Sequence, residues 1–218
     1  MAEAGTAPSV APEPGEFRKS NHARKRVAIM DAAASVFAEA GYSGASTAAI
    51  AARLGMTQSN LYYYFRSKDE ALEEICLVAL DGYIRGAKAI LASKAPFRRR
   101  LLDTVQSHLS ILTQRPDHFV TFLTCRQELP AAGRHRVGRI TREYETLVER
   151  LIAEGRASGE IGADVDPAFA TSCLLALCHN PAIYRQAFLG RNFDHLTNDL
   201  AALFLDGIAA GEKYGNAL

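Results

Sequence analysis

The sequence predicts an all-α fold: an N-terminal three-helix helix-turn-helix domain followed by a larger C-terminal helical domain. Three observations carry this. Apolar residues recur at spacings of three and four along most of the chain, and no run alternates as a half-buried strand would. Pro96, Pro116, Pro130, Pro167 and Pro181 punctuate the chain after the first 90 residues and divide it into helix-sized or longer segments. The stretch from Ser46 to Lys68, STAAIAARLGMTQSNLYYYFRSK, holds two short helical phases on either side of Gly55.

Taken in order, residues 1–16 carry Pro8, Pro12 and Pro14 among Ala, Gly and Glu, with almost nothing to bury, and read as a disordered tail. Residues 17–67 read as the helix-turn-helix domain and 68–218 as the body. Arg18, Lys19, Arg24, Lys25 and Arg26 lead into a first helix expected over 21–40, with Val27, Met30, Ala34 and Phe37 on one face and Gly41 as its stop. That cationic cluster is either a solvated helix start or an arm that touches phosphates or the minor groove.

Ile50, Ala51 and Leu54 then recur at helical spacing, Gly55 permits a sharp turn, and Thr57 caps a second helix whose inward residues are Leu61 and Phe65. Ala51 is small enough for the two helices to cross closely. The second helix is too short and polar to serve as a core helix. It presents Gln58, Ser59, Asn60, Tyr62, Tyr63 and Tyr64, side chains that donate and accept hydrogen bonds. Ser67 with Glu70 fits a capping box that opens a long helix through Leu72, Ile75, Ala79 and Tyr83 to about Ser93. Further helices are expected over 96–114, 117–129, 132–158, 167–189 and 193–213; Asp166 and Pro167 supply a cap and a first-turn proline.

The chain has 218 residues and 25 Lys or Arg against 24 Asp or Glu. The distribution says more than the total. From Arg18 to Lys68 there are eight cations against two acids, Asp31 and Glu39, so the remainder is acidic overall. A basic module on an acidic body suits nucleic-acid binding by one part only, because phosphate attraction is local. Cys76, Cys125, Cys173 and Cys178 lie in apolar helical patterns without CxxC or HxxxH spacing, which reads as reduced, buried thiols and no metal site. The amino terminus lacks an apolar run and no segment reaches about 18 continuous apolar residues, so a cytoplasmic protein without a membrane partner is expected. No cofactor is expected.

The residues from Arg24 to Leu72, with AEAGY closing the first helix and STAAIAARLGMTQSNLYYYFRSKDEAL following, resemble the DNA-binding domain of the TetR family of bacterial transcriptional regulators. The resemblance implies a homodimer on a double-stranded DNA operator, each subunit bearing one reading head and a ligand-binding and dimerisation domain, and repression until a small-molecule inducer binds. By the same resemblance Thr47, Tyr62, Tyr64 and Lys68 match positions that bond to phosphates, while Gln58, Ser59 and Tyr63 match positions that face base edges. Thr57, at the cap, belongs to this DNA-facing set. The chemistry is apt, since a Gln side chain pairs bidentately with adenine and a Tyr ring touches a thymine methyl. The family often has Gly where this chain has Ser59 and His where it has Tyr64.

The run CRQELPAAGRHRVGRITREYETLVERLIAEGRASGEIGADVDPAFA is similar to a TetR subset tied to fatty-acid and steroid breakdown, in which acyl-CoA thioesters are inducers. That subset often carries Trp near Asn180 to Arg185, and this chain has none. Helical phases nominate ligand residues independently, because a polar group inside an apolar stripe needs a partner. Arg126 falls within the stripe of Phe119, Phe122, Leu123 and Leu129, as a buried ion pair, a dimer contact or an anchor for a ligand carboxylate or phosphate. Phe122 and Arg126 are therefore ligand candidates. His108, among Leu101, Val105 and Leu112, is either a satisfied core histidine or a ligand contact. Arg136 flanks the stripe of Val137, Ile140 and Tyr144 as a pocket-rim candidate, with Arg142 facing solvent. Asn180, before Pro181, either satisfies carbonyls freed by the proline or lines a cavity. Leu174, Leu177, Leu200, Leu203, Phe204 and Ile208 offer apolar surface for a second copy, or for plain core packing.

Two other functions fit a helical chain. One is a constitutive DNA-binding regulator whose body only dimerises; the other is an acyl-CoA-binding enzyme. Against the enzyme, no His, Asp or Glu lies at nucleophile-activating or metal-ligand spacing near Ser or Cys.

Overall fold

The computed structural model describes residues 14–180, 190 and 192–208, with side chains from His22 onward. The tail expected over 1–13, the side chains of Arg18 and Lys19, and the stretches 181–189 and 209–213 of the last two expected helices lie outside these residues.

Among the described residues the elements are helical and none is a strand. α1 (Pro14–Gly44) starts inside the stretch expected as a tail and is interrupted at Gly41, whose φ of 67° is open to glycine at little cost. α2 (Thr47–Arg53) and α3 (Gln58–Tyr62) follow, then α4 (Lys68–Ala92), α5 (Phe97–Gln114), α6 (Pro116–Cys125), a 3-10 turn (Arg126–Glu128), α7 (Ala131–Ala157), α8 (Pro167–Cys178) and α9 (Phe193–Ile208).

Two expected helices end early, each beside a proline. Pro130 lacks an N–H for the Arg126 carbonyl and its ring would strike that carbonyl, so α6 stops at Cys125 and tightens into the 3-10 turn. Leu129 accordingly turns extended, with ψ of 144°. α8 stops at Cys178, because Asn180 stands before Pro181 and is biased out of the helical region.

α1 packs most extensively against α6, and α4 against α7. The head is thus joined to the body through both α4 and the α1–α6 contact. A single buried cluster runs through both parts, from Phe37, Ile50, Leu61 and Phe65 in the head to Leu101, Leu109 and Phe119 in the body. Gly155 sets how closely α7 approaches α5: a Cβ there would lie 2.5 Å from the Phe97 ring. Leu174, Leu200 and Phe204 are buried within the subunit, whereas Leu203 is 68% exposed and Phe169 on α8 is 69% exposed. No helix of the described residues is long and apolar enough to cross a membrane.

Candidate nucleic-acid interface and body cavity

The reading head is assembled by three caps. Ser46 Oγ accepts the Ala49 N–H at 3.1 Å, Thr57 Oγ1 accepts the Asn60 N–H at 3.2 Å, and Ser67 Oγ accepts the Glu70 N–H at 3.2 Å. The Glu70 carboxylate reaches back to the Arg66 N–H at 2.8 Å. Between α2 and α3, Gly55 takes φ of 62°, a left-handed value that lets the chain reverse. Leu61 and Phe65 are buried beneath α3 and hold its outer face outward.

On that face Gln58, Ser59, Asn60, Tyr62 and Tyr63 are exposed, Tyr63 at 75%. Gln58 Nε2 donates to Thr47 Oγ1 at 2.6 Å and to the Tyr62 hydroxyl at 3.2 Å, tying the start of α2 to α3. Tyr64 is half-buried and stacks on His22 at 5.1 Å between centroids, with Tyr63 edge-on to both rings. Lys68 Nζ lies over the Tyr42 ring and donates to the carbonyls of Tyr42 at 3.0 Å and Ala45 at 3.4 Å. Tyr42 in turn donates its hydroxyl to Asp69, and the carboxylate, with burial, pushes the phenol up to about 12.

In the body a cavity of about 420 Å³ opens among α4, α5, α6, α7 and α8. A chain of hydrogen bonds lines it. The Tyr144 hydroxyl lies 2.8 Å from His108 Nδ1, and His108 Nε2 lies 3.1 Å from His179 Nε2. Tyr83 stacks flat on His108, 4.5 Å between centroids. Burial pushes His108 down to about 3, aided by His179, and pushes His179 down to about 4, aided by Arg126; both rings are neutral near pH 7. The Arg126 guanidinium stacks 4.8 Å from the Phe122 ring, and no carboxylate among the described residues lies within 4.0 Å of it. A larger cavity of about 620 Å³ lies between α1 and the body helices α4, α5 and α6, and Tyr83 is part of both walls.

Residues 29–75 match the family described as bacterial regulatory proteins, tetR family, and residues 94–184 match the tetracyclin repressor-like C-terminal domain. A solved transcriptional regulator of the TetR/AcrR family from Thermobifida fusca is 30% identical, with a TM-score of 0.62, and the comparison covers 84% of this chain and 98% of that one. The chain belongs to the TetR family. It is similar to the fatty acid metabolism regulator protein of Bacillus subtilis, 29% identical over 145 residues, covering 65% of this chain and 73% of that protein. It also shares its fold with the transcriptional regulator FadR from Bacillus subtilis in complex with stearoyl-CoA, at 22% identity and a TM-score of 0.68, covering 84% of this chain and 98% of that one.

As a TetR-family transcription regulator, the chain carries a helix-turn-helix DNA-binding head and a ligand-binding carboxy-terminal domain. On the head, Thr47, Thr57, Gln58, Ser59, Tyr62 and Tyr63 lie together at the exposed side of α2 and α3, with Tyr64 and Lys68 turned partly inward. Of the ligand candidates, the 420 Å³ cavity brings together His108, Phe122 and Arg126. It does not include Arg136, which is exposed and pairs with Glu73 through Nη2 at 2.6 Å, nor Asn180, which is exposed just past α8 with its N–H on Leu177 O. Arg26 departs from the cationic arm. Its Nε donates to Glu74 at 2.8 Å, Nη1 reaches the Tyr64 carbonyl at 3.3 Å, and the group lies over the Phe65 ring, so it ties α1 to α4 and to the end of α3.

Sequence reasoning passed over Tyr83, Tyr144 and His179 as cavity residues in this TetR-family body. Tyr83 and Tyr144 sit in regular apolar stripes, where a tyrosine reads as core. For His179 a signal existed, a lone imidazole closing an otherwise apolar helix, CLLALCH.

Proposed function

We propose that this regulator is a dimeric repressor of a palindromic DNA operator, released when a small-molecule inducer, an acyl-CoA or another lipid-derived metabolite, enters the body cavity. The observation that carries it is the double engagement of α6. One side of this helix gives Phe122 and, at its end, Arg126 to the cavity; another side gives Thr121 and Cys125 to α1 of the head. Inducer held by Arg126, Phe122 and the His108–His179 pair shifts α6, and the head moves with it.

In this proposal residues 17–67 read DNA and 68–218 bind ligand and dimerise, with Arg136 and Asn180 outside ligand contact. Gln58, Ser59 and Tyr63 face bases. Thr47, Thr57, Tyr62 and Tyr64 meet phosphates, and Lys68 contributes whichever of its three N–H groups the two carbonyls leave. Leu203 and Phe169 supply apolar surface to a second copy, placing two α3 helices about 34 Å apart, one helical turn of DNA. A coupling of roughly 1–3 kcal/mol weakens operator binding about 5- to 150-fold, provided the ligand prefers the conformation that does not bind DNA. The acyl-CoA class is supported by the Bacillus subtilis relative, a regulator of fatty acid metabolism, and by the stearoyl-CoA held by FadR. The protein works in the cytoplasm, where such thioesters are made.

Footprinting on the DNA flanking its own gene should show a protected palindrome; no protection there removes the repressor. Thermal unfolding with a series of acyl-CoAs should show stabilisation, and Arg126→Ala should keep operator binding while losing release by ligand. Operator binding that no acyl-CoA alters would favour a constitutive regulator.

A further inference from the structure

The 620 Å³ cavity between head and body has no part in the function proposed above, yet its walls differ from those of the body cavity in a way that orients a ligand. Among the described residues it is lined by Arg26, Arg85 and Arg115 against the carboxylate of Glu74, whereas the body cavity is lined by Glu145 and Glu149 against Arg126. Asp81 and Asp31, the partners of Arg85 and Arg115, do not line it. His118 is also in its wall: the ring is buried, its Nε2 makes no hydrogen bond among the described residues, and Asp31 Oδ1 stands 3.5 Å away. Both cavities have apolar wall, Val27, Met30, Val78 and Ile111 in the first and Leu80, Phe122 and Leu175 in the second, so their charged residues are what distinguish them.

We propose that the inducer lies across both cavities, its phosphate-bearing end in the head–body cavity against Arg26, Arg85 and Arg115 and its apolar chain running past Tyr83 into the body cavity. This rests on the acyl-CoA reading and deepens it. A coenzyme A thioester is larger than the drug-sized molecules that pockets of about 300–1,000 Å³ enclose, so 420 Å³ alone does not hold one. The opposite orientation sets phosphates beside Glu145 and Glu149, a like-charge juxtaposition that opposes binding. Tyr83 is the residue the two cavities share, and its stacking on His108 is the contact that the ligand must open.

The orientation also supplies a release step. Arg26 holds α1 to Glu74 of α4 and to the Tyr64 carbonyl, and Arg115 faces Asp31 of α1 at 3.5 Å. Phosphate oxygens that take these guanidinium groups compete with both ties between head and body.

The test compares dodecanoyl-CoA with S-dodecanoyl-N-acetylcysteamine, which keeps the chain and the thioester but lacks the phosphates, by calorimetry on the full-length protein. Arg85 suits substitution, since its side chain is 73% exposed and, among the described residues, its ion pair is with Asp81 four residues earlier. Arg85→Glu should weaken the CoA thioester by roughly tenfold, as a reversed charge at close range does, and leave the affinity for the N-acetylcysteamine thioester unchanged; the new like-charge pair with Asp81 lowers the thermal midpoint slightly and bears equally on both probes. Equal affinity of the wild type for both probes, or a loss that is absent or the same for both, overturns the orientation. If neither probe binds the wild type, the acyl-CoA class falls first and this placement with it.

Discussion

Thr121 of α6 donates its hydroxyl to the main-chain carbonyl of Ala34 on α1 across 2.9 Å, in a fully buried contact. It fixes the body helix that borders the cavity to the head helix that supports α3. Thr121→Val keeps the shape and removes the donor. We expect a loss of about 1 kcal/mol in urea unfolding, the net value of one such bond. The ratio of operator affinities without and with inducer, read by fluorescence anisotropy, should shrink; an unchanged ratio means coupling does not pass through this contact.

The exposed face of α3 predicts a split between affinity and discrimination. Gln58→Ala and Tyr63→Ala should each cost about 1–3 kcal/mol on the operator and relax preference at one base pair, because the proposed function sets them against base edges. Tyr62→Phe should weaken binding evenly across sequences. Leu61→Ala should instead lower stability by about 2–5 kcal/mol, since Leu61 is buried under the helix. A panel of single-base operator variants separates these outcomes.

The buried histidines give the body a pH dependence of definite sign. His108 and His179 are held well below their ordinary value of 6.5, so the unfolded chain binds protons that the folded chain refuses. Their contribution is complete above pH 6.5 and is lost as pH falls toward the folded values, each excluded proton adding at most about 1.4 kcal/mol per pH unit. Urea midpoints at pH 7 and pH 5 should therefore fall more for the wild type than for His179→Gln. Equal falls would sink the assignment.

Gly155→Ala should destabilise by about 1–3 kcal/mol, although alanine favours helices, because its methyl would enter the Phe97 ring. Differential scanning calorimetry of Gly155→Ala beside the double variant carrying Phe97→Leu is the check: the smaller side chain should recover part of the loss.

Much of this architecture was legible in the residues themselves. Caps at Ser67, Thr57 and Asp166, the turn at Gly55 and the break at Gly41 are local, and local chemistry places them within a residue or two. What failed needed information from distant segments. The start of α1 at Pro14 was hidden because a tail rich in Pro, Ala and Gly shows no apolar face. Arg26 read as one more cation of the arm because nothing near it in sequence announces Glu74, 48 residues on. A wheel placed Arg126 correctly beside Phe122, yet it assumed a continuous helix to Leu129, and only the clash with Pro130 explains the tighter turn. Arg136 has a favourable phase, but a carboxylate from α4 claims it.

The two engagements of α6 bear on how such a regulator can acquire a new inducer. Thr141 on α7 and Thr171 on α8 line the cavity and spend their hydroxyls on carbonyls of their own helices, so in the proposed function they can vary with ligand shape while the head stays as it is. A change at Phe122 alters the cavity and, along the same ten-residue helix, the seating of α1. Selections for altered ligand preference should therefore collect neutral switches on α7 and α8, and on α6 a mixture of permanently bound and permanently released phenotypes.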